Sequence, residues 1–225
     1  MSANDKYPQP TTSQIASGMA QCRGNARELL HDAKLLEENL RYARAYMVLH
    51  TACEELAKFF ILELAGRRLS QGNPPSWKRF WQRFRNHDSK IAQLSVQLLA
   101  LRIEGGAIDP DLLAAADTLF SYELQPRNAS LYVDMGQNGE FRSPNDIDFS
   151  VPLPTVWGVV TLALRAANQR GETVNELHSH LQKASTEPDQ NAALKVLEIA
   201  VRRMADAGLS ESEIIAAIEK RIPGT

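Results

Sequence analysis

The sequence predicts an all-α fold: a helical bundle built on one long antiparallel helical hairpin, with an irregular loop near residues 126–155 and a small C-terminal helical extension. Apolar residues recur at steps of three and four over long stretches, which is the period of an amphipathic helix. The one segment that reads as extended, residues 131–133, lies inside the loop. The chain has 225 residues, 44% of them hydrophobic, which suffices for one sizeable core.

Composition narrows the functional classes. Twenty-five Lys and Arg against 27 Asp and Glu give a net charge of -2, so no global positive field attracts nucleic acid, and any RNA contact must be local. Cys22 and Cys53 are the only cysteines, and no Cys/His cluster has the spacing of a zinc site, so we expect no metal and no cofactor. Neither a signal-like start nor a membrane-spanning apolar run occurs, so we expect a cytoplasmic protein with no membrane partner.

The hairpin follows a flexible lead-in over residues 1–10. Thr11 to Gln14 offers hydroxyl groups suited to capping a helix, and apolar residues continue with helical spacing from Ile15 to Glu38. The apolar stripe changes phase at residues 39–41, and a second helix is predicted from Tyr42 to Leu69. Because the middle of this second helix is apolar nearly all round, we expect it to be central in the bundle.

Breakers divide the rest of the chain. A linker with Gly and Pro at residues 70–76 precedes a third helix that starts near Trp77. Pro126 follows the end of a later helix and opens the irregular loop. The main helical domain is predicted to span residues 11–184, and residues 185–225 form a helix-turn-helix extension. Further helices are predicted over residues 91–102, 112–120, 156–169 and 192–221.

A polar set inside the second helix is the first candidate site. His50, Glu54 and Lys58 follow one another at four-residue intervals and therefore share one face, with Glu55 beside them. Polar side chains in an otherwise apolar helix need a reason. The structural alternative is an ordinary ion pair between Glu54 and Lys58 on a partly exposed stripe.

A basic stretch provides the second candidate. Seven Lys or Arg and one acid lie between Gly66 and Lys90, interleaved with aromatic residues. These basic residues either form the solvated back of a helix or bind RNA phosphates, for which Arg79, Arg83 and Arg85 are the candidates. His87 follows directly, near a helix N-terminus where the dipole favours a neutral imidazole able to act as a base. Alternatively, His87 is an exposed bystander.

Three segments of the chain form a recognisable set: Ala52-Cys53-Glu54-Glu55-Leu56-Ala57-Lys58, Arg85-x-His87-x-x-Lys90 and Arg127-x-x-x-Leu131-Tyr132-Val133-Asp134. Together they resemble the AbiV-type abortive-infection family of HEPN proteins. The resemblance covers about residues 15–170 and implies a HEPN-like helical bundle, a homodimer, RNA such as tRNA or mRNA as a partner, and a phage-encoded protein as a trigger.

HEPN ribonucleases typically carry an Arg, a polar residue and, a few residues later, a His that moves the proton while the Arg stabilises phosphorane charge. On this chain Arg127 and Asn128 match the start of the pattern, and Tyr132 stands at the position of the His. A phenol, with an ordinary pKa of about 10, is a poor general base at neutral pH. His87 is therefore the best remaining acid-base candidate. The predicted catalytic set is Arg127, His87, Asn128 and Tyr132, supported by Glu54, Glu55, Lys58, Lys90 and Asp134.

Two functions fit these features. The first is a metal-independent HEPN-type endoribonuclease that acts on RNA in anti-phage abortive infection. The alternative is a catalytically inactive HEPN dimer that blocks translation or a phage process by binding protein or RNA. A carboxylate-bridged metal bundle would need two Glu-x-x-His pairs, and the chain offers only Glu28-x-x-His31.

Overall fold

The computed structural model describes residues 7–87, 89–91, 93–94, 97–98, 124–135, 139–150 and 152–183. Their architecture is an all-α bundle, as predicted, with two-residue strands as its only β-structure within these ranges. The helices are α1 (Thr12–Glu38), α2 (Tyr42–Ser70), α3 (Trp77–Arg85), α4 (Leu124–Ala129), α5 (Leu153–Gln169) and α6 (Val174–Lys183). The predicted helix over 112–120 and the extension 185–225 lie outside the described residues.

The hairpin of α1 and α2 is the core of the fold. Thr11 caps α1 through a capping box: its hydroxyl accepts from the Gln14 amide, and the Gln14 side chain accepts from the Thr11 amide. The capping segment predicted from the sequence is therefore confirmed. The residues of α1 that face α2 are fully buried at helical spacing, among them Ile15, Met19 and Ala26.

A Schellman motif ends α1 and turns the chain into α2. The Arg41 amide donates to the Leu36 carbonyl at 2.8 Å, and the Leu40 amide donates to the Glu37 carbonyl at 2.9 Å. Glycine usually occupies the left-handed position of this motif, but here Leu40 holds it with φ of 57° and an exposed side chain. The sequence pattern marked only a change of phase at this turn.

Leu40→Gly should raise the free energy of unfolding by about 0.5–1 kcal/mol, because glycine adopts the left-handed conformation without a Cβ clash. Urea denaturation measures this gain. Leu40→Ala is the matched control: it removes the exposed side chain but keeps the strained Cβ, so it should give no gain. Equal stabilisation by both variants would show that the exposed leucine, and not the backbone conformation, is responsible.

Helix α2 is central, as its apolar circumference predicts, and it contacts α1, α3, α4, α5 and α6. One close approach depends on Gly66, where an added Cβ would lie 2.6 Å from Cδ1 of Leu181 on α6. Leu177 and Leu181 are fully buried in this contact. Helix α6 was not predicted from the sequence, and it packs against both α1 and α2.

Arg23 of α1 forms hydrogen bonds with the backbone at the turn between α5 and α6. Its buried guanidinium donates to the carbonyl oxygens of Gly171, Glu172 and, at 3.5 Å, Ala167. These carbonyls lie at or just beyond the C-terminal end of α5, where backbone acceptors lack helical partners and a cation is favoured. Burial lowers the pKa of the Arg23 guanidinium. This buried arginine therefore has a structural role.

The region predicted as an irregular loop has more structure than expected. Pro126 does not follow a helix end but lies in the first turn of α4, where its missing amide would have no helical partner. The strands β1 (Asp134–Met135) and β2 (Phe141–Arg142) pair antiparallel, and a 3₁₀ turn spans Pro144–Asp146. Helix α5 begins three residues earlier than the predicted Val156.

Within the described ranges, no helix combines the length and the hydropathy that crossing a membrane requires.

The predicted third helix is confirmed as α3, whose residues Trp77 and Phe80 are buried against the bundle. The described residues from His87 to Leu98 are helical as well.

Candidate active site

A buried carboxylate on α2 organises the candidate site. The side chain of Glu54 is only 8% exposed. His87 donates from Nδ1 to Oε1 of this carboxylate at 2.6 Å, and Lys90 donates from Nζ to Oε2. Arg127 places Nε 3.8 Å from Oε1. Four of the predicted site residues, which come from three separate segments, therefore meet at one point.

Three segments bring these side chains together. Glu54 lies near the middle of α2, and Arg127 lies on the short helix α4, which packs on α2. His87 and Lys90 follow α3 and are one helical turn apart. This turn is capped by Asn86, whose side-chain oxygen accepts from the Ser89 amide at 2.8 Å. The cap places His87 at the first position of the turn.

The surroundings of Glu54 keep it ionised. Burial alone would raise the pKa of the Glu54 carboxyl, but hydrogen bonds from Lys90 and His87, with the positive charge of Lys90, hold this pKa below its ordinary value. Lys90 is itself buried, so Glu54 and Lys90 form a desolvated ion pair. The charges of Glu54 and Lys90 cancel within this pair. The pair therefore does not offset the positive charge of Arg127.

His87 is the accessible titratable group of this cluster, with 47% of its side chain exposed. Because Nδ1 is bound to Glu54, the opposite nitrogen Nε2 is the one available to an incoming molecule. A carboxylate behind an imidazole fixes the ring orientation and stabilises the protonated form once it accepts a proton. The pair therefore has the arrangement of an oriented acid-base histidine.

Arg127 has an unused donor inside the site. Its Nε atom is buried and makes no hydrogen bond with any of the residues that the structure describes. A buried donor without an acceptor is unfavourable by roughly 1–3 kcal/mol. A bound anion beside His87 would supply a partner for the guanidinium.

Lys58 and Glu55 lie next to this cluster but form a separate pair. Lys58 donates to Glu55 Oε1 at 2.6 Å, three residues back along α2, and its ammonium lies 5.7 Å from the centre of the Phe84 ring. The ordinary pair between Glu54 and Lys58 considered from the sequence is therefore not formed.

Burial and the nearby Glu55 raise the pKa of the Cys22 thiol to about 12, so this cysteine is protonated.

Asn128, Tyr132 and Asp134 lie farther along the same segment. The backbone carbonyl of Asn128 accepts from the amides of Leu131 and Tyr132 at 3.0 Å each, which closes α4. The side chain of Tyr132 is exposed, at 63%, and among the described residues it forms no hydrogen bond with Glu54, His87 or Arg127. Asp134 pairs with Arg142 in the register of the two strands.

The three candidate RNA-binding arginines are all exposed on or at the end of α3. Arg83 donates to Gln93 Oε1 at 2.9 Å, and the guanidinium of Arg85 lies 5.8 Å from the centre of the Trp81 ring. Helix α3 ends at Arg85, two residues before His87. The basic surface of α3 therefore continues directly into the Glu54 site.

A second buried carboxylate, Glu63, was not predicted from the sequence. His180 of α6 donates to Glu63 Oε1 at 2.7 Å, Arg170 approaches it at 3.1 Å, and Arg67 at 3.9 Å. Nine residues separate Glu54 from Glu63, two and a half helical turns, so the two carboxylates leave α2 on opposite faces. Both are charged residues in a helix that is apolar nearly all round, which is the one signal that would have found Glu63.

Among the residues that the structure describes, no group of three or more His, Cys, Asp or Glu side chains is arranged to hold a metal ion. In the Glu54 site two neighbours of the carboxylate, Lys90 and Arg127, are cations that would compete with a metal ion.

Comparison with known proteins agrees with the resemblance seen in the sequence. No curated protein and no solved structure gives a significant match to the chain. A family model for AbiV, of the HEPN type, matches residues 14–150, which is more than half of the chain and contains Glu54, His87 and Arg127. The chain belongs to the AbiV family of HEPN proteins.

Proposed function

We propose that this protein is a metal-independent endoribonuclease of anti-phage abortive infection, with His87 and Arg127 as its catalytic residues. The observation that carries the proposal is the Glu54 carboxylate, which binds His87 at 2.6 Å and lies 3.8 Å from Arg127. An oriented imidazole beside a guanidinium is what cleavage of a phosphodiester needs. Membership of an abortive-infection family supports the biological role.

The proposed reaction uses the ribose itself as the nucleophile. His87 Nε2 takes the proton of a 2′-hydroxyl, the 2′-oxygen forms a bond to phosphorus, and the bond from phosphorus to the 5′-oxygen breaks. The leaving 5′-oxygen takes a proton from water, and His87 returns its proton to solvent. Arg127 stabilises the negative charge that gathers on the phosphoryl oxygens.

The charge of the site suits an internal phosphodiester. Among the residues of the site that the structure describes, Lys90 offsets Glu54 and His50 is neutral, so Arg127 presents one net positive charge to the substrate. A phosphodiester carries one negative charge. Arg79, Arg83 and Arg85 bind neighbouring phosphates along the exposed side of α3, which supplies a local RNA surface on a protein of net charge -2. The expected substrate is RNA such as tRNA or mRNA.

Substitution of Arg127 tests this proposal. Arg127→Ala should lower the rate of RNA cleavage, measured with EDTA present, by about 100- to 1,000-fold, because it removes a preorganised donor to the phosphoryl oxygens. Arg127→Lys should recover part of the rate, since it restores the charge but not the planar guanidinium. Arg44→Ala, which removes an exposed arginine of α2, is the control and should leave the rate unchanged. Absence of cleavage by the wild-type protein, or cleavage that survives Arg127→Ala, would sink the proposal.

One observation favours the alternative function, a catalytically inactive dimer that acts by binding. Four large apolar side chains are exposed on and beside the β1–β2 hairpin, namely Tyr132, Val133, Met135 and Phe141. A concentrated apolar surface of this kind is typical of a protein interface. The alternative predicts protection against phage that survives Arg127→Ala, whereas the proposed ribonuclease loses protection with that change.

A further inference from the structure

His50 is the buried titratable neighbour of Glu54 that the proposed mechanism leaves without a role. It lies one turn before Glu54 on α2, so both side chains share one face. Only 2% of its side chain is exposed, and its Nδ1 atom lies 3.5 Å from Glu54 Oε1. This is the carboxylate oxygen to which His87 donates. Both imidazoles therefore lie close to the same carboxylate oxygen. The ring of His50 is buried, whereas the ring of His87 is partly exposed.

Burial decides the charge of His50. Desolvation lowers the pKa of the imidazole to about 4, against the opposing effect of Glu54, and the charges of Arg127, His87 and Lys90 lower it further. At neutral pH the ring is uncharged. It therefore offers Glu54 a polar neighbour without adding another cation that would compete with His87 for the carboxylate.

Each simple replacement of this ring would serve Glu54 less well. An apolar side chain would leave the inner side of an ionised carboxylate facing hydrocarbon, which disfavours the charged form. A lysine or arginine would draw Oε1 away from His87 and into the core. A neutral polar ring avoids both effects.

We propose that His50 is a positioning residue that forms a neutral polar floor beneath Glu54 and keeps Oε1 against Nδ1 of His87. The consequence for His87 is a fixed tautomer, with the proton on Nδ1 and Nε2 open to the substrate. The effect of this tautomer on catalysis rests on the proposed ribonuclease function, but the tautomer itself does not.

Two substitutions of equal shape test the role of His50. Asparagine and leucine branch at the same carbon, but asparagine keeps a polar group near the position of Nδ1 and leucine does not. Nitrogen NMR of ¹⁵N-histidine-labelled protein reports the tautomer of His87, and circular dichroism verifies folding. We expect the wild-type tautomer in His50→Asn and a mixture of both tautomers in His50→Leu. His31→Leu, at an exposed histidine of α1, is the control and should leave His87 unchanged.

Cleavage provides the second readout, with an expected loss of about 10- to 100-fold in His50→Leu and little loss in His50→Asn. If His50→Leu does not fold, His50→Gln replaces it. The glutamine amide extends past the position of Nδ1, so this variant should also show a mixture of both His87 tautomers. The wild-type tautomer in a folded His50→Leu or His50→Gln variant would overturn the proposal. If the wild-type protein cleaves no RNA, the proposed function fails, and the NMR result still decides the role of His50.

Discussion

Replacing His87 with asparagine should lower the rate of RNA cleavage by about 100- to 10,000-fold. The amide nitrogen of asparagine lies near the position of Nδ1, so a donor for the Glu54 carboxylate remains, but the side chain neither accepts nor releases a proton at neutral pH. Because 47% of the His87 side chain is exposed, the substitution removes little packing and should leave the fold intact. Single-turnover cleavage of end-labelled RNA measures the rate, and circular dichroism verifies the fold.

The matched control for His87 is His31→Asn, at another exposed histidine of the chain. It should cleave RNA at the wild-type rate. A His87→Asn variant that cleaves as fast as the wild type would contradict the role of His87 and would favour the binding function over catalysis.

Replacing Glu63 with glutamine should lower the free energy of unfolding by about 3 kcal/mol, because it leaves two partly buried guanidinium groups without their carboxylate. Glu63 is buried, and its side chain ties α6 to α2 through His180 and lies against Arg170 and Arg67. Glutamine has the same shape, so the loss reports the charge and not a cavity. Urea denaturation at neutral pH measures the difference between the two proteins.

The pH dependence of this loss separates the charge from other effects. The hydrogen bond from His180 and the charge of Arg170 outweigh burial and hold the pKa of Glu63 below its ordinary value of 4.5. A carboxylate of this kind stabilises the fold above the unfolded pKa, and the stabilisation is lost as pH falls through the lower folded value. The gap between wild type and Glu63→Gln should therefore narrow below about pH 4.5. Glu28→Gln, at an exposed acid of α1, should change stability by less than about 0.5 kcal/mol.

The long helices could be predicted because each carries its own signal. The α1–α2 hairpin shows helical spacing over many turns, and Thr11 announces the first cap. Helix α6 shows little of this kind, since it spans ten residues and buries only Leu177 and Leu181. It packs on α1 and α2, and its contact with α2 depends on Gly66, more than a hundred residues earlier, whose missing side chain admits Leu181. Such a tertiary dependence leaves no local pattern.

The candidate site was likewise predictable only in part. Glu54 and His87 were singled out by the sequence pattern, whereas Lys90 and Arg127 entered the site with the segments that resemble one family. The structure brings the last three side chains to the Glu54 carboxylate. Spacing alone grouped Lys58 with Glu54, although Lys58 turns to Glu55. The pattern could not choose between two acids that a lysine reaches equally well along a helix.

The two buried carboxylates show why a local sequence pattern does not reveal a buried charge cluster. Glu63 and Arg67 read as one more pair four residues apart, and nothing nearby shows that His180 and Arg170 complete the cluster. Burial of a charge is a property of the assembled bundle. A sequence reveals it only indirectly, when an acid interrupts a helix that is apolar on every side.

The chemical ends of the cleaved RNA test the central claim most directly. Attack by the 2′-oxygen without a metal leaves a 2′,3′-cyclic phosphate on one fragment and a 5′-hydroxyl on the other. We expect mass spectrometry to find these ends after incubation of the wild-type protein with RNA in EDTA, and to find no cleavage where a 2′-deoxynucleotide replaces the attacking ribose. Ends with a 3′-hydroxyl and a 5′-phosphate, a requirement for a divalent metal, or intact RNA would contradict a ribonuclease built on Glu54, His87 and Arg127.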